Sequence, residues 1–282
     1  MARSKKKTGE GPAKKAGKSA GPRKKADSRK KTGPHKKTEP GKKTVANVNP
    51  FSTFAVELAR DLPGGVSKAN LESAEDTVAR EFNNGLTTLA TSGTMGTKIG
   101  GANIAEIVRA SEALGETVRR TRDAISSSGS PTTANTVVRA LSSDLTDDVI
   151  DGLGGPRADA RIAAVATVVA AQVLLETMAN ELHVNGADAT EAMAGAIAQV
   201  TTDPVDPTLE DLTVTADMLE RARIGLVAAH GVTGDTAIAE MLTALEGVQA
   251  GASSSTVSTF ALPSDYRGRL DNAILLLSLI HI

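Results

Sequence analysis

An all-α fold, a helical bundle of about eight helices behind a disordered basic tail, is predicted by three observations. Between residues 49 and 250, apolar side chains recur at helical spacing almost throughout. Short clusters of Gly, Pro, Asn and Ser break that pattern into segments. Residues 1–43 differ from the rest, with 17 Lys or Arg, 3 Asp or Glu and no aromatic side chain. The net charge of −1 therefore hides a tail of +14 and a body of −15.

The elements follow in chain order. Phe51, Phe54, Ala55 and Leu58 share one helical face ahead of Pro63-Gly64-Gly65. Ser67 is an N-cap for a helix with Leu71, Ala74, Val78 and Phe82 inward, closed by Asn83-Asn84-Gly85. Residues 86–101 read as a loop. Ile104, Ile107, Val108, Leu114, Val118 and Ile125 mark a long helix that stops in Ser126–Gly129. Pro131 suits the first turn of the next, which runs to about Ser142. Asp147 to Pro156 is a turn. A core helix then spans about Ala158 to Leu182, with Asn185-Gly186 as its terminator.

Asp188 with Glu191 resembles a capping box for a helix carrying Met193, Ile197 and Val200. Residues 202–208 form a linker that could divide the body into two subdomains. Val214 to His230 is helical and closed by Gly231. Asp235 caps a helix with Ile238, Met241, Leu242, Leu245 and Val248 inward. Ser253 to Leu262 is a short strand or a loop, and a last helix starts at Tyr266. The organisation is a tail at 1–45 and a helical domain at 46–276.

Composition excludes several classes of chemistry. The chain has no Cys, hence no disulfide, thiolate metal site or Cys nucleophile. The longest nearly apolar run, Ile162 to Leu175, is shorter than the roughly 20 residues of a spanning helix, so it reads as buried core. No apolar signal-peptide segment follows the basic N-terminus.

The body holds two histidines, His183 and His230, each read as a cation near a helix C-terminus ahead of Gly186 or Gly231. No HExxH or GxSxG motif occurs. Gly93 to Gly101 could offer backbone N–H groups to an anion but reads better as a loop. Asp144, Asp147, Asp148 and Asp151 cluster as candidate Ca²⁺ ligands. The spacing fails an EF-hand, which needs a carboxylate where Val149 stands and Glu where Ala158 stands. An exposed acidic turn is the plainer reading. Asn49-Pro50-Phe51 spells a short recognition tripeptide, but Phe51 suits a core anchor. No cofactor is implied.

The tail repeats Lys pairs every six residues: Lys24-Lys25, Lys30-Lys31, Lys36-Lys37 and Lys42-Lys43. Such a segment buries too little to offset ordering entropy. It could bind nucleic acid without sequence preference, solubilise the chain, or arise from a misread frame or start. At the other end, Leu277-Ser278-Leu279-Ile280-His281-Ile282 looks like the translation of a transposase adapter used in sequencing libraries. The natural chain is then expected to continue past Leu276, and His281 carries no functional weight.

Two segments carry a resemblance. Val48-Asn49-Pro50-Phe51-Ser52-Thr53-Phe54-Ala55, followed by Gly64-Gly65-Val66-Ser67, resembles the "(S/T)PLTTLA" entry of helical modules in large Gram-negative secreted or surface (lipo)proteins. Ala140 to Gly152 resembles their "LAxDLxDGxxDG" segment. Phe51, Phe54 and Asp148 depart from the usual Leu, Leu and Gly. The resemblance spans roughly residues 45–200. It implies a non-catalytic structural or interaction module, extracellular or in the cell envelope, with an unidentified protein or envelope component as partner. The alternatives are a cytoplasmic protein whose tail binds nucleic acid, and an enzyme with an unrecognised site.

Overall fold

A computed structural model describes residues 49–82, 104–200, 214–251 and 262–280. The Lys pairs at 24–43, the loop at 86–101, the linker at 202–208, nearly all of Ser253 to Leu262, and His281 lie outside the described residues. The fold is all-α. Nine α-helices are present among the described residues: α1 (Pro50–Asp61), α2 (Lys68–Phe82), α3 (Ile104–Ser127), α4 (Ala134–Asp144), α5 (Ala160–Met178), α6 (Ala189–Val200), α7 (Ala216–Thr233), α8 (Thr236–Gly251) and α9 (Tyr266–Leu279). A two-residue hairpin, β1 (His183–Val184) and β2 (Ala187–Asp188), joins α5 to α6.

Helix α1 begins with a reciprocal cap. Asn49 Oδ1 accepts the Ser52 N–H at 2.8 Å, and Ser52 Oγ accepts the Asn49 N–H at 3.0 Å. Pro50 fills the first helical position, where no N–H is needed. Phe51 and Phe54 are fully buried, so the tripeptide serves as cap and core anchor. Ser67 caps α2 as expected, through the Asn70 N–H.

Four boundaries differ from the sequence reading. Thr133, not Pro131, opens α4, because its hydroxyl accepts the Thr136 N–H. Asp159 opens α5 by accepting the Ile162 N–H at 2.9 Å. Helix α5 stops at Met178, earlier than Leu182, because Asn180 turns left-handed at φ 58°. Asn180 N–H then reaches Thr177 O and Glu181 N–H reaches Glu176 O, a Schellman closure. Asn185-Gly186 is therefore not a helix terminator. Its φ values of 51° and 83° make the primed turn of the hairpin. Gly231 lies inside α7, which closes at Gly234 in a left-handed cap.

Helix α5 is the centre of the bundle. It packs against α3, α4, α7 and α9. It is long and apolar enough to cross a membrane by length and composition, yet 72% of its most apolar window is buried in the protein. Helices on both sides of the linker share one apolar core, from Phe51 to Leu277. Gly225 of α7 lies directly against α5. A Cβ there would meet Ala171 Cβ at 2.3 Å and Thr167 O at 2.6 Å.

Candidate functional site: a charged cleft and a clasped loop

Helix α1 packs against α4, and the turn that follows α4 is tied to α1. Arg157, just after the acidic turn, donates to Asp61 Oδ2 at 2.9 Å, Glu57 Oε2 at 2.8 Å and Glu57 O at 3.1 Å. Its own N–H bonds Ser143 Oγ at 2.9 Å. The turn is thus clasped to the end of α4 and to the polar side of α1. Burial opposes ionisation of Glu57, but Arg157 and Arg60 hold its carboxyl below the usual range.

The four acids of this turn divide three tasks among them. Asp144 is 1% exposed, so the expected exposed cluster is wrong for this member. It accepts N–H groups from Gly152 at 2.8 Å and Gly154 at 3.2 Å. Burial, with Asp151 and Asp147 nearby, raises its pKa against those bonds. Asp147 accepts the Val149 N–H, and Asp151 the Leu153 N–H. Asp148 faces α2, accepting from Thr77 Oγ1 at 2.9 Å and Arg80 Nη2 at 2.6 Å. Among the described residues, no group of three or more His, Asp or Glu is arranged to hold a metal ion. These acids fasten a loop.

Of the two histidines, only His230 holds the expected place near a helix C-terminus. His183 lies in β1, and its Nδ1 faces Glu181 O at 2.9 Å. His230 does sit in the last turn of α7, where Nδ1 faces Asp235 O at 3.0 Å and joins α7 to α8.

The more developed site was not among the sequence expectations. A cleft of about 600 Å³ lies between α3, α5, α9 and the hairpin. Its floor includes Val169, Gln172, Glu176 and Ile274. Glu176 is 2% exposed and binds Arg120 through both oxygens, at 3.0 and 2.8 Å. Arg267 of α9 reaches the same carboxylate at 3.2 Å. Arg120 also donates to Glu116 Oε2 at 3.0 Å and His183 O at 2.9 Å.

Glu116, also 2% exposed, takes Arg119 Nε at 2.8 Å, Arg119 Nη2, and the Asn185 N–H at 2.8 Å. Burial would raise the Glu116 pKa. Arg119, the Asn185 N–H and Arg120 together bring it below the usual value. Tyr266 donates to Glu181 Oε2 at 3.3 Å, and its hydroxyl pKa is pushed up by burial and then by Glu176.

The network thus locks three helices and the hairpin through buried, multiply bonded carboxylates. Two residues signalled it in the sequence: Gln172 and Glu176, polar side chains on the most apolar helix. Gln172 is 3% exposed and donates to Asp271 Oδ1 at 2.9 Å. Compared with protein-family models, curated proteins and solved structures, the chain matches none.

Proposed function

We propose that the chain is a non-catalytic helical structural and interaction module of a cell-envelope or secreted bacterial protein. The observation that carries the interaction role is the cleft. Its two buried carboxylates, Glu116 and Glu176, are each held by several donors, which suits a shaped surface better than a proton-transfer site. Its apolar floor is open between two helices that stand on a third. The envelope setting rests on the two segments that resemble surface-protein modules.

The test is site-specific photo-crosslinking in the source organism, with the full chain carrying Leu275→benzoylphenylalanine. Leu275 lines the cleft and is 49% exposed. The expected result is one discrete adduct in the envelope or secreted fraction. The same probe replacing Lys68, an exposed side chain at the start of α2, should give none. Equal labelling from both positions, or none from either, counts against the reading.

A second reading is favoured by the tail's charge of +14. It makes the chain a cytoplasmic protein that binds nucleic acid through Lys24, Lys25, Lys30, Lys31, Lys36, Lys37, Lys42 and Lys43. Binding should then fall steeply with salt, with a log–log slope near −9 if about 10 phosphates are neutralised. Retention of duplex DNA by a chain lacking residues 1–43 would sink it.

A further inference from the structure

We infer that the cleft takes an amphipathic helical segment of a partner protein, one bearing an acidic and a basic side chain a helical turn apart. The inference rests on the interaction-module reading and adds the chemistry of the partner. Internal bonds fix the register of the walls. Glu176 meets Arg120 of α3 and Arg267 of α9. One turn earlier on α5, Gln172 meets Asp271 of α9. At the other end of α5, Arg161 reaches Ser128, just past α3, and Ser278 O of α9, so α3 and α9 run the same way along the cleft, opposite to α5.

Both walls carry the same polar order. Arg119 is followed four residues later by Asp123 on α3, and Arg267 four residues later by Asp271 on α9. Four residues are one turn, about 6 Å of rise. A band of arginines and a band of aspartates thus cross the cleft, with Val169, Ala124 and Ile274 between and beneath them.

Internal bonding leaves part of these bands free. Among the described residues, Arg267 Nη1 and Asp271 Oδ2 have no hydrogen-bond partner. Asp123 is 46% exposed even with Arg119 and Arg122 beside it. A polyanion would meet the aspartate band, and a polycation the arginine band. A segment with one charge of each sign answers both, while its apolar stripe covers the floor and Leu275.

The test uses the full chain and three synthetic helical peptides. All share a leucine stripe at i, i+4 and i+7, and carry Glu/Lys, Glu/Glu or Lys/Lys pairs one turn apart. Fluorescence anisotropy should show the Glu/Lys peptide binding about fivefold or more tighter than the others. Asp271→Lys should shift the preference to the Glu/Glu peptide. Asp123→Lys on the other wall should do the same, which guards against misfolding of either variant. Leu275→Asp should weaken the Glu/Lys peptide about tenfold. Equal affinities for the three peptides, no binding, or an unchanged order in both lysine variants would overturn the inference. If Leu275 still cross-links a partner in the cell, the interaction reading stands and only the charge rule fails. If cross-linking fails as well, both fall.

Discussion

The same substitution at two places in α7 should change stability in opposite directions. Gly225→Ala adds a methyl group where Ala171 Cβ stands at 2.3 Å and Thr167 O at 2.6 Å. Carbon atoms pack best at about 3.5–4.0 Å, so α7 must retreat from α5 by more than about 1 Å. Neither obstacle is the tip of a flexible side chain. One is a short alanine and the other a backbone carbonyl. Overpacking of this kind costs about 1–3 kcal/mol, and the severity here argues for about 3.

Alanine's better helix propensity returns about 1 kcal/mol. The net expectation is a loss of about 2 kcal/mol. Gly231→Ala meets nothing within 4 Å. It should gain about 0.5–1 kcal/mol from propensity alone. Urea unfolding of the full chain followed by circular dichroism measures both, with unchanged slopes expected. A Gly225→Ala chain as stable as the parent would refute the close α5–α7 seat.

Three further outcomes follow from the described contacts. Glu176→Ala removes a carboxylate shared by Arg120 and Arg267, but each arginine keeps another acceptor, in Glu116 or Glu181. The expected loss is about 2–3 kcal/mol in denaturant melts, below the cost of orphaning a buried charge. Glu116 has a depressed pKa in the fold, so its stabilisation is present above its ordinary value of 4.5 and is lost as pH falls through the lower folded value. Glu116→Gln should therefore lower stability at neutral pH and flatten the decline in acid, as read from urea midpoints across that range. Asp144→Ala should cost about 2–3 kcal/mol by orphaning the Gly152 and Gly154 N–H groups, and calcium should leave the parent's melting temperature unmoved.

The apolar faces were legible from the sequence because burial and helical period act together. Phe51, Phe54, Leu58, Val78, Ile107 and Leu114 all line the core as their spacing requires. Stops were less legible, because Asn and Gly serve several geometries. Asn180 ends α5 although no Gly follows it, and Asn185-Gly186 turns a hairpin instead. The cleft was hidden for a different reason. Glu116, Arg119, Arg120 and Asp123 have the three- and four-residue spacing of an ordinary solvated helix face. Only contact with Glu176, 56 residues on, and with Asn185, 69 residues on, shows that Arg120 and Glu116 point inward. The acidic turn looked like a ligand set because sequence shows proximity of carboxylates and not their direction.

The central position of α5 has a consequence for biosynthesis. Helices α1 to α4 leave the ribosome before α5, with Leu114, Val118, Val137 and Leu141 still without their full enclosure. Helix α5 then emerges with its α7- and α9-facing sides still uncovered. That exposure ends only when α7 seats Gly225 and α9 brings Arg267 to Glu176. The interval between synthesis of α5 and of α9 is therefore a period in which the apolar sides of α5 stand open to chaperones.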